Sequence, residues 1–368
     1  MKVLILTEPD DTHAVLVKLA LEHDAHAVRL LFTADQPTKL KQSVFIDNVA
    51  SQWKRSDDGD TLVENDYDVV WWRRARKPYL PKESTHPSDY PFVLRENTLF
   101  YDAVTNLIAP SARWVNGKEA ANRSCAKLFQ LQSAVACGIT IPLTLCSNDP
   151  YDIRYFLLKH EQEGVIYKPL CANFWFEKES MRISYTTQLS FLELPRNALL
   201  QIVPGIFQKE VRKRYEIRVN YFDGYIVAAK LHSQAHRDGK VDWRAIPAGA
   251  MHVEPYTLPE QLEAQICALM RKMGLVFGAL DFIVSETGEY VFLEINEQGQ
   301  FLWIEEVNPE FQLLDVFVQF LLHTSHHAFQ WKAQDAKHRL EDYKYQVDDI
   351  VYLNRQSHVY LNNTPYNA

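Results

Sequence analysis

The chain of 368 residues lacks most of the devices that announce a chemistry outright. Its five cysteines, Cys125, Cys137, Cys146, Cys171 and Cys267, are widely spaced, odd in number and form no Cys-x-x-Cys pair. That argues against a disulfide frame or a cysteine zinc site and suits reduced thiols in a cytoplasmic protein. No Gly-x-Gly-x-x-Gly follows the first strand candidate, which disfavours a dinucleotide fold. No phosphate loop of the Gly-x4-Gly-Lys-Ser/Thr type, no Gly-x-Ser-x-Gly and no His-Glu-x-x-His is present either, so P-loop and nucleophilic hydrolase readings lose support. The net charge of −8 argues against a general nucleic-acid binder. No apolar run approaches the length of a membrane span, and the one at Met1–Thr7 is too short for a signal peptide. What is present is a globular composition, 47% hydrophobic and 23% charged, long enough for two or three lobes around sizeable cores.

The apolar pattern predicts strands over 2–7, 27–32 and 68–72, with a helix from Asp11-Thr12 to His23, a βαβ-like opening. The strand at 68–72 runs into Arg73-Arg74. Ligands of α/β sheets bind beyond the carboxyl ends of strands, so these arginines are substrate candidates as readily as a solvated basic turn. Around Ala109-Pro110-Ser111 a linker is expected. Asn116 with Glu119 resembles a capping box, predicting one helix that runs towards Gly138 with Leu128, Leu131 and Val135 on its core side. A helix over 151–160, a short strand 165–170 ended by Pro169, and a loop over 171–177 follow. Tyr215–Phe222, Asp223-Gly224 and Tyr225–His232 make a hairpin, because Asp-Gly is a favoured two-residue turn. Residues 258–273 read as a helix stopped by Gly274, and 311–323 as a buried helix. The polar stretch 331–368 reads either as a docked extension or as partly disordered.

The most informative local pattern is Ala279–Val284, Ser285–Glu289 and Tyr290–Asn296, two apolar runs around a Gly-containing turn. With Thr287-Gly288 at the centre of an even-length loop, Asp281 lies opposite Glu294, Cβ to Cβ about 5 Å, and Asn296 shares their face. Carboxylates that close repel unless a cation or a proton holds them. Two carboxylates and an amide oxygen are hard ligands suited to Mg²⁺, which also takes nucleotide phosphates. An odd loop would shift this pairing.

Other charged residues fall into the same argument. Lys168 ends an apolar segment and either meets an anion or points at water. Lys127 lies on a helix, where lysines are usually solvated. In the Asp-Gly hairpin Glu216 faces Leu231 and Arg218 faces Ala229, two charges among small or apolar neighbours, as in a cleft wall. Lys230 and His232 fall on the other face unless a bulge intervenes. Arg212-Lys213-Arg214 reads as a solvated loop, and the tryptophans as core more often than binding platforms.

In order along the chain, these residues resemble the ATP-grasp superfamily, and within it the peptide-modifying ligases of the microviridin or graspetide type. The resemblance spans about 115 to 310. Its narrowest part is Leu293-Glu294-Ile295-Asn296-Glu297-Gln298-Gly299-Gln300-Phe301-Leu302-Trp303-Ile304-Glu305, supported by Ala229–Gln234 and Val241-Asp242-Trp243-Arg244. The resemblance implies an α/β (α+β) ATP-grasp fold with ATP between two lobes. The expected divisions are a βαβ-type lobe at 1–115, a central lobe at 116–200, a C-terminal lobe with the metal site at 201–330, and an extension at 331–368. Lys127 and Lys168 match the lysines that hold nucleotide phosphates. Gln208, Lys209, Glu210 and Val211 occupy the hinge that meets adenine through its backbone, and Glu216 matches the ribose-binding acid. Asp281, Glu294 and Asn296 match ligands of one or two Mg²⁺ ions. Arg218, and with it Lys230, are assigned to catalysis, while Arg73, Arg74, His232 and Arg244 are substrate candidates. Lys209 stands where such ligases usually carry an acid.

The function implied is ATP-dependent activation of Asp or Glu side chains in a ribosomal precursor peptide as acyl phosphates, followed by attack of Ser or Thr hydroxyls or Lys amines. Such an enzyme needs no nucleophile of its own, in keeping with the absence of a catalytic triad. A carboxylate–amine ligase for a small substrate or glutamate, and a non-catalytic peptide-binding module, remain as alternatives. A purely structural role leaves the acidic pair unexplained. The expected partner is a precursor peptide with its leader, with no nucleic acid and no membrane; a homodimer is left open.

Overall fold

The computed structural model describes residues 1–57, 60–62, 65–171, 174–177, 180–183, 186–237, 239–247, 249–325 and 327–361. The chain divides into two compact units, residues 1–121 with 312–368, and residues 122–311. Among the described residues no helix is long and apolar enough to cross a membrane.

The first unit is built on a four-stranded parallel sheet in the order Ala27–Phe32, Lys2–Thr7, Val69–Trp72, Arg113–Val115. Strands buried on both faces read as unbroken apolar runs, and Val3 to Leu6 and Val69 to Trp71 are at most 1% exposed. The helix Thr12–His23 starts where Asp11 accepts a hydrogen bond from Ala14 N, as its sequence led us to expect. A three-stranded antiparallel sheet, Leu40–Ile46, Ser51–Asp57 and Asp60–Leu62, is an addition that the sequence reading did not foresee. The buried helix Leu313–Leu322 carries Asp315 at 0% exposure. That carboxylate accepts from Trp331 Nε1 (2.7 Å), Lys337 N (2.8 Å), His338 N (3.1 Å) and Gln319 Nε2 (2.6 Å). A buried charge with four donors fixes the chain that follows it. The extension is accordingly docked: helix Leu340–Ser357 buries Leu340, Tyr343, Val347 and Val351 at the spacing of one helical face. Residues 362–368 lie outside the described residues.

Among the described residues the second unit contains two larger antiparallel sheets and a two-stranded one. One larger sheet has the order Thr187–Gln188, Val165–Lys168, Gly205–Lys209, Thr144–Ser147, and the other Val253–Tyr256, Tyr225–Leu231, Lys213–Phe222, Phe277–Ser285, Tyr290–Asn296. Pro150–Lys159, capped by Asp149, covers the first through Ile153 and Leu157. Glu260–Met273 ends at Gly274, whose φ of +73° closes the helix. The expected loop at 171–177 instead contains the strand Phe174–Glu177, paired with Ser180–Ile183; a Phe-Trp-Phe run suits a pleated strand. Residues 172–173 of that loop lie outside the described set.

The helix expected from Asn116 to Gly138 is two helices, Lys118–Ser124 and Lys127–Ala136. Gln130 accounts for the break. Its Nε2 donates to Ser124 O (2.7 Å) and to Ile295 O (2.9 Å), and its Oε1 accepts from Ile295 N (2.7 Å). One side-chain amide thus satisfies a carbonyl at the end of the first helix and extends the backbone ladder of the strand Tyr290–Asn296. This rotates the second helix. Gln130, Leu131, Ser133 and Ala134 are buried, whereas Leu128 and Val135, expected in the core, are 46% and 55% exposed.

Candidate active site

The five-stranded sheet sets three charges in a row. Arg218 pairs in register with Asp281, and Asp281 with Glu294. Arg218 Nη1 donates to both oxygens of Asp281 at 2.9 Å, while Nη2 donates to Gln300 O at 3.1 Å. Asn296 pairs with Ala279, two places along from Glu294 on the same face. The Asp-Gly hairpin has the expected register, Glu216 opposite Leu231 and Arg218 opposite Ala229, around a two-residue turn whose Asp223 and Gly224 have φ of 48° and 100°.

Two further cations reach Glu294. Lys127, on the first turn of its helix, lies 3.4 Å away, held by the Gln130 tether to the neighbouring Ile295. Arg244 Nη1 lies 3.9 Å away. Arg244 is itself aimed by Asp242, which takes its Nε and Nη2 at 2.9 Å each and its backbone N–H at 3.1 Å. Burial favours the neutral form of Glu294, but Lys127, Arg244 and Lys168 outweigh it and hold the carboxyl below its usual range. Asp281 is shifted the other way: burial raises it, Arg218 opposes that and the Glu294 charge adds to it. Lys168 is lowered by burial and by the nearby cations Lys127 and Arg244, with Glu294 pulling against them. Opposed shifts in adjacent carboxyls, inside a cluster of cations, make this cluster the candidate site.

Lys168, Asp242, Arg244, Asp281 and Glu294 line an open cleft whose walls come from both larger sheets, together with Ile166, Lys209, Val211 and Glu216. The lining combines apolar Pro142, Ile166, Val211 and Ile283 with charged side chains, a mixture that suits a flat base joined to an anion. In the hinge strand the side chains of Gln208 and Glu210 turn to other partners. Gln208 is 2% exposed and donates to Thr144 Oγ1 (2.9 Å), and Glu210 accepts from Gln188 Nε2 (2.8 Å). Lys209 N and Glu210 N are also engaged, with Leu143 O at 3.0 Å and Gly164 O at 2.9 Å. Lys209 lines the cleft and pairs with Glu163 at 3.0 Å.

Some expectations on individual residues are corrected. Lys213, expected in a solvated loop, is a buried member of the cleft: a bulge between Lys213 and Tyr215 puts it 2.7 Å from Glu216, and both side chains are at most 6% exposed. Burial pushes the Glu216 carboxyl up against the pull of Lys213. Lys230 does not join Arg218. No bulge intervenes, so it lies on the opposite face, 2.7 Å from Glu254 and over the Tyr215 ring. His232 lies on that face too, beside Glu254. Arg73 is 0% exposed and bonds Asp11, and Arg74 bonds Glu8 at 2.8 Å. Those arginines serve an internal ion network of the first unit, because a guanidinium that leaves a buried strand end needs a carboxylate at once. Asp242 was missed as the residue that aims Arg244. Its spacing to Arg244, an acceptor two residues before an arginine, was the available signal. Trp243 and Trp303 stack at 4.9 Å and 25° beside Arg244 and are half-buried, a platform rather than core.

The oxygen donors fit Mg²⁺: two carboxylates directly opposed on one face, one of them with its nearest cation among the described residues at 3.4 Å, and an amide two residues on.

No protein-family model matches the chain, and no curated protein matches it. Solved structures do. The Chryseobacterium gregarium RiPP-associated ATP-grasp ligase, solved with ADP and a leader and core peptide, superposes with a TM-score of 0.79 at 24% identity over 90% of this chain and 99% of that one. The macrocyclase MdnC of Microcystis aeruginosa MRC, solved with the precursor peptide MdnA, gives 0.75 at 26% identity over 88% and 99%. The macrocyclase MdnB of the same organism gives 0.72 at 26% identity over 87% and 99%. The chain has the ATP-grasp fold, in the form of the graspetide-type peptide ligases that its motifs resemble.

Proposed function

We propose that this protein is an ATP-dependent ligase that joins side chains within a ribosomal precursor peptide, activating Asp or Glu as acyl phosphates and passing them to Ser or Thr hydroxyls or Lys amines. The observation that carries the reading is the cleft in which Arg218, Asp281 and Glu294 form one row and Lys127, Lys168 and Arg244 converge on it. Its overall likeness to macrocyclases, one of them bound to its precursor peptide, supplies the substrate class.

In this reading Lys168 and Lys127 bind the ATP phosphates, and the apolar walls and hinge backbone take the base. Glu216, fixed by Lys213, faces the ribose. Mg²⁺ held by Asp281, Glu294 and Asn296 supplies neutralisation of phosphate oxygens. A substrate carboxylate oxygen attacks the terminal phosphorus and ADP leaves. Arg218 and Arg244 are fixed by Asp281 and Asp242 before substrate arrives, so they stabilise developing charge without reorganising. The hydroxyl or amine then attacks the acyl carbon and phosphate leaves, with net loss of one water per link. Arg218 and Arg244 act on charge, so no residue of this chain needs to be acylated. We further propose a cytoplasmic setting, which suits five free cysteines.

Incubation with ATP, Mg²⁺ and a precursor peptide encoded beside the gene tests this. Mass spectrometry is expected to show stepwise loss of water and equimolar ADP. ADP release with an unchanged peptide would shift the reading to a small-substrate ligase. Absence of Mg²⁺-dependent nucleotide binding would favour a non-catalytic peptide-binding module.

A further inference from the structure

On the face of the five-stranded sheet opposite the cleft, the ladder between Tyr225–Leu231 and Val253–Tyr256 ends in a cluster the proposed reaction does not use. Lys230 pairs with Glu254 and Leu231 with Val253, and the next step is His232 N donating to His252 O at 3.1 Å. His232 and His252 are therefore directly opposed. Glu254, two residues beyond His252, shares their face. The imidazoles meet edge to face at 4.7 Å between centroids, and one ligand atom from each of His232, His252 and Glu254 lies within 4.8 Å of the others. His232 Nε2 is shielded from solvent, 3.1 Å from Glu254 Oε1 but without a hydrogen-bonding alignment. The nitrogen thus faces a carboxylate and a second imidazole, the donor types that a zinc-class cation takes up. Lys230 reaches Glu254 Oε1 at 2.7 Å and can stay there as the outer partner that orients the carboxylate while the second oxygen turns inward.

We propose that His232, His252 and Glu254 bind a divalent transition metal of the zinc class, and that the ion staples the two ends of segment 233–251. Two imidazoles and one carboxylate select zinc-like ions over Mg²⁺, which prefers oxygen donors alone. To reach ligand bonds of about 2.0–2.2 Å, each ligand atom moves by roughly an ångström, an adjustment open to His252 and Glu254 because both are solvent-accessible. The segment between the two histidines carries Asp242, Trp243 and Arg244 to the cleft. Tying its ends lowers the conformational freedom of the segment that presents Arg244. The metal site stands on its own geometry and is independent of the ligase reading. Only its consequence for Arg244 touches it.

The other group of the same kind among the described residues, His23, Asp24 and His338, serves as control, since His338 is already bonded to Tyr343 OH at 2.7 Å and Asp24 to Lys337 at 3.4 Å. The metal-stripped full chain, kept in excess Mg²⁺, is titrated with Co²⁺ and then Zn²⁺. One Co²⁺ with the intense visible absorption of low coordination, displaced by Zn²⁺, is expected. His252→Ala and Glu254→Gln should each weaken it about tenfold or more, and His338→Ala should leave it unchanged. Trypsin sites at Arg237 and Lys240 are exposed within the segment. Zn²⁺ should slow cleavage there in the parent chain and not in His252→Ala. Absence of Mg²⁺-resistant binding, equal binding by His252→Ala, or unaltered cleavage on adding Zn²⁺ overturns the proposal.

Discussion

Asp281 stands directly opposite Glu294 although the loop joining their strands is odd in length. Ser285 N bonds Glu289 O, leaving the three residues Glu286, Thr287 and Gly288 as the loop, and Val284 pairs with Tyr290. That register alone would set Asp281 against Leu293. A shift between Asp281 and Phe282 takes up Leu293 as an extra residue and restores the pairing with Glu294. A bulge here re-aims one carboxylate, a use of bulges common beside active sites. Inserting one alanine after Leu293 should therefore turn Glu294 to the opposite face and abolish Mg²⁺-dependent ADP binding, while the circular dichroism spectrum stays that of a folded chain; deleting Leu293 should instead leave Glu294 opposite Asp281 in a regular ladder. Unchanged nucleotide binding after the insertion would refute the role assigned to this register.

The two carboxyls should also separate in their response to pH. Asp281→Asn and Glu294→Gln are each expected to lower turnover by about 10²–10³-fold, the cost of losing one preorganised charge contact in a transition state. Because burial raises Asp281, protons compete for it at higher pH than for an ordinary carboxyl of about 3.9. Mg²⁺ affinity should fall as pH is lowered, starting above that range. Calorimetric Mg²⁺ titrations of the ADP complex at several pH values would show this slope in the parent chain and its loss in Asp281→Asn.

Much of this site was legible in the sequence because it rests on strand alternation and turn chemistry. Asp223-Gly224 fixes the Arg218 register without outside help, and apolar runs mark the strands. What escaped has a common cause: irregularities that tertiary contacts impose. The Gln130 bridge breaks a helix that local propensity would continue, and with it moves Leu128 and Val135 to the surface. A bulge buries Lys213, and an ion network withdraws Arg73 from solvent. The Asp281–Glu294 pairing was anticipated from an even loop and reached by an odd loop with a bulge; the two departures cancel.

Gly299 links core packing to the site. Its φ is +62°, and a Cβ there would stand 2.3 Å from Cζ of the fully buried Phe277. The next residue's carbonyl, Gln300 O, holds Arg218 Nη2. Gly299→Ala should destabilise the chain by about 1–3 kcal/mol, from overpacking and an unfavourable backbone region, read as a lower urea midpoint. Of the variant that remains folded, turnover should drop more than ATP affinity, because Arg218 loses one of its two anchors. A midpoint within error of the parent would sink the packing argument.

The first unit carries its own pH dependence in Asp11. Burial favours the neutral carboxyl, but Arg73 and Arg74 outweigh it and hold Asp11 well below the usual range, helped by Thr7 Oγ1 at 2.7 Å. Arg73 Nε lies 3.1 Å from Asp11 Oδ2, with both side chains at most 1% exposed. In the unfolded chain Asp11 titrates near its free value of about 3.9, so below that pH the unfolded state binds the extra proton and stability falls. The contribution is complete above the unfolded value and lost as pH drops towards the folded one. Asp11→Asn leaves a buried guanidinium without its counter-charge, at a cost of about 3–5 kcal/mol near neutrality. Urea unfolding from pH 7 to pH 3 should show that difference shrinking as the parent chain loses its own pair. A gap that stays constant across the range would mean that the asparagine acts through helix capping or packing rather than through charge.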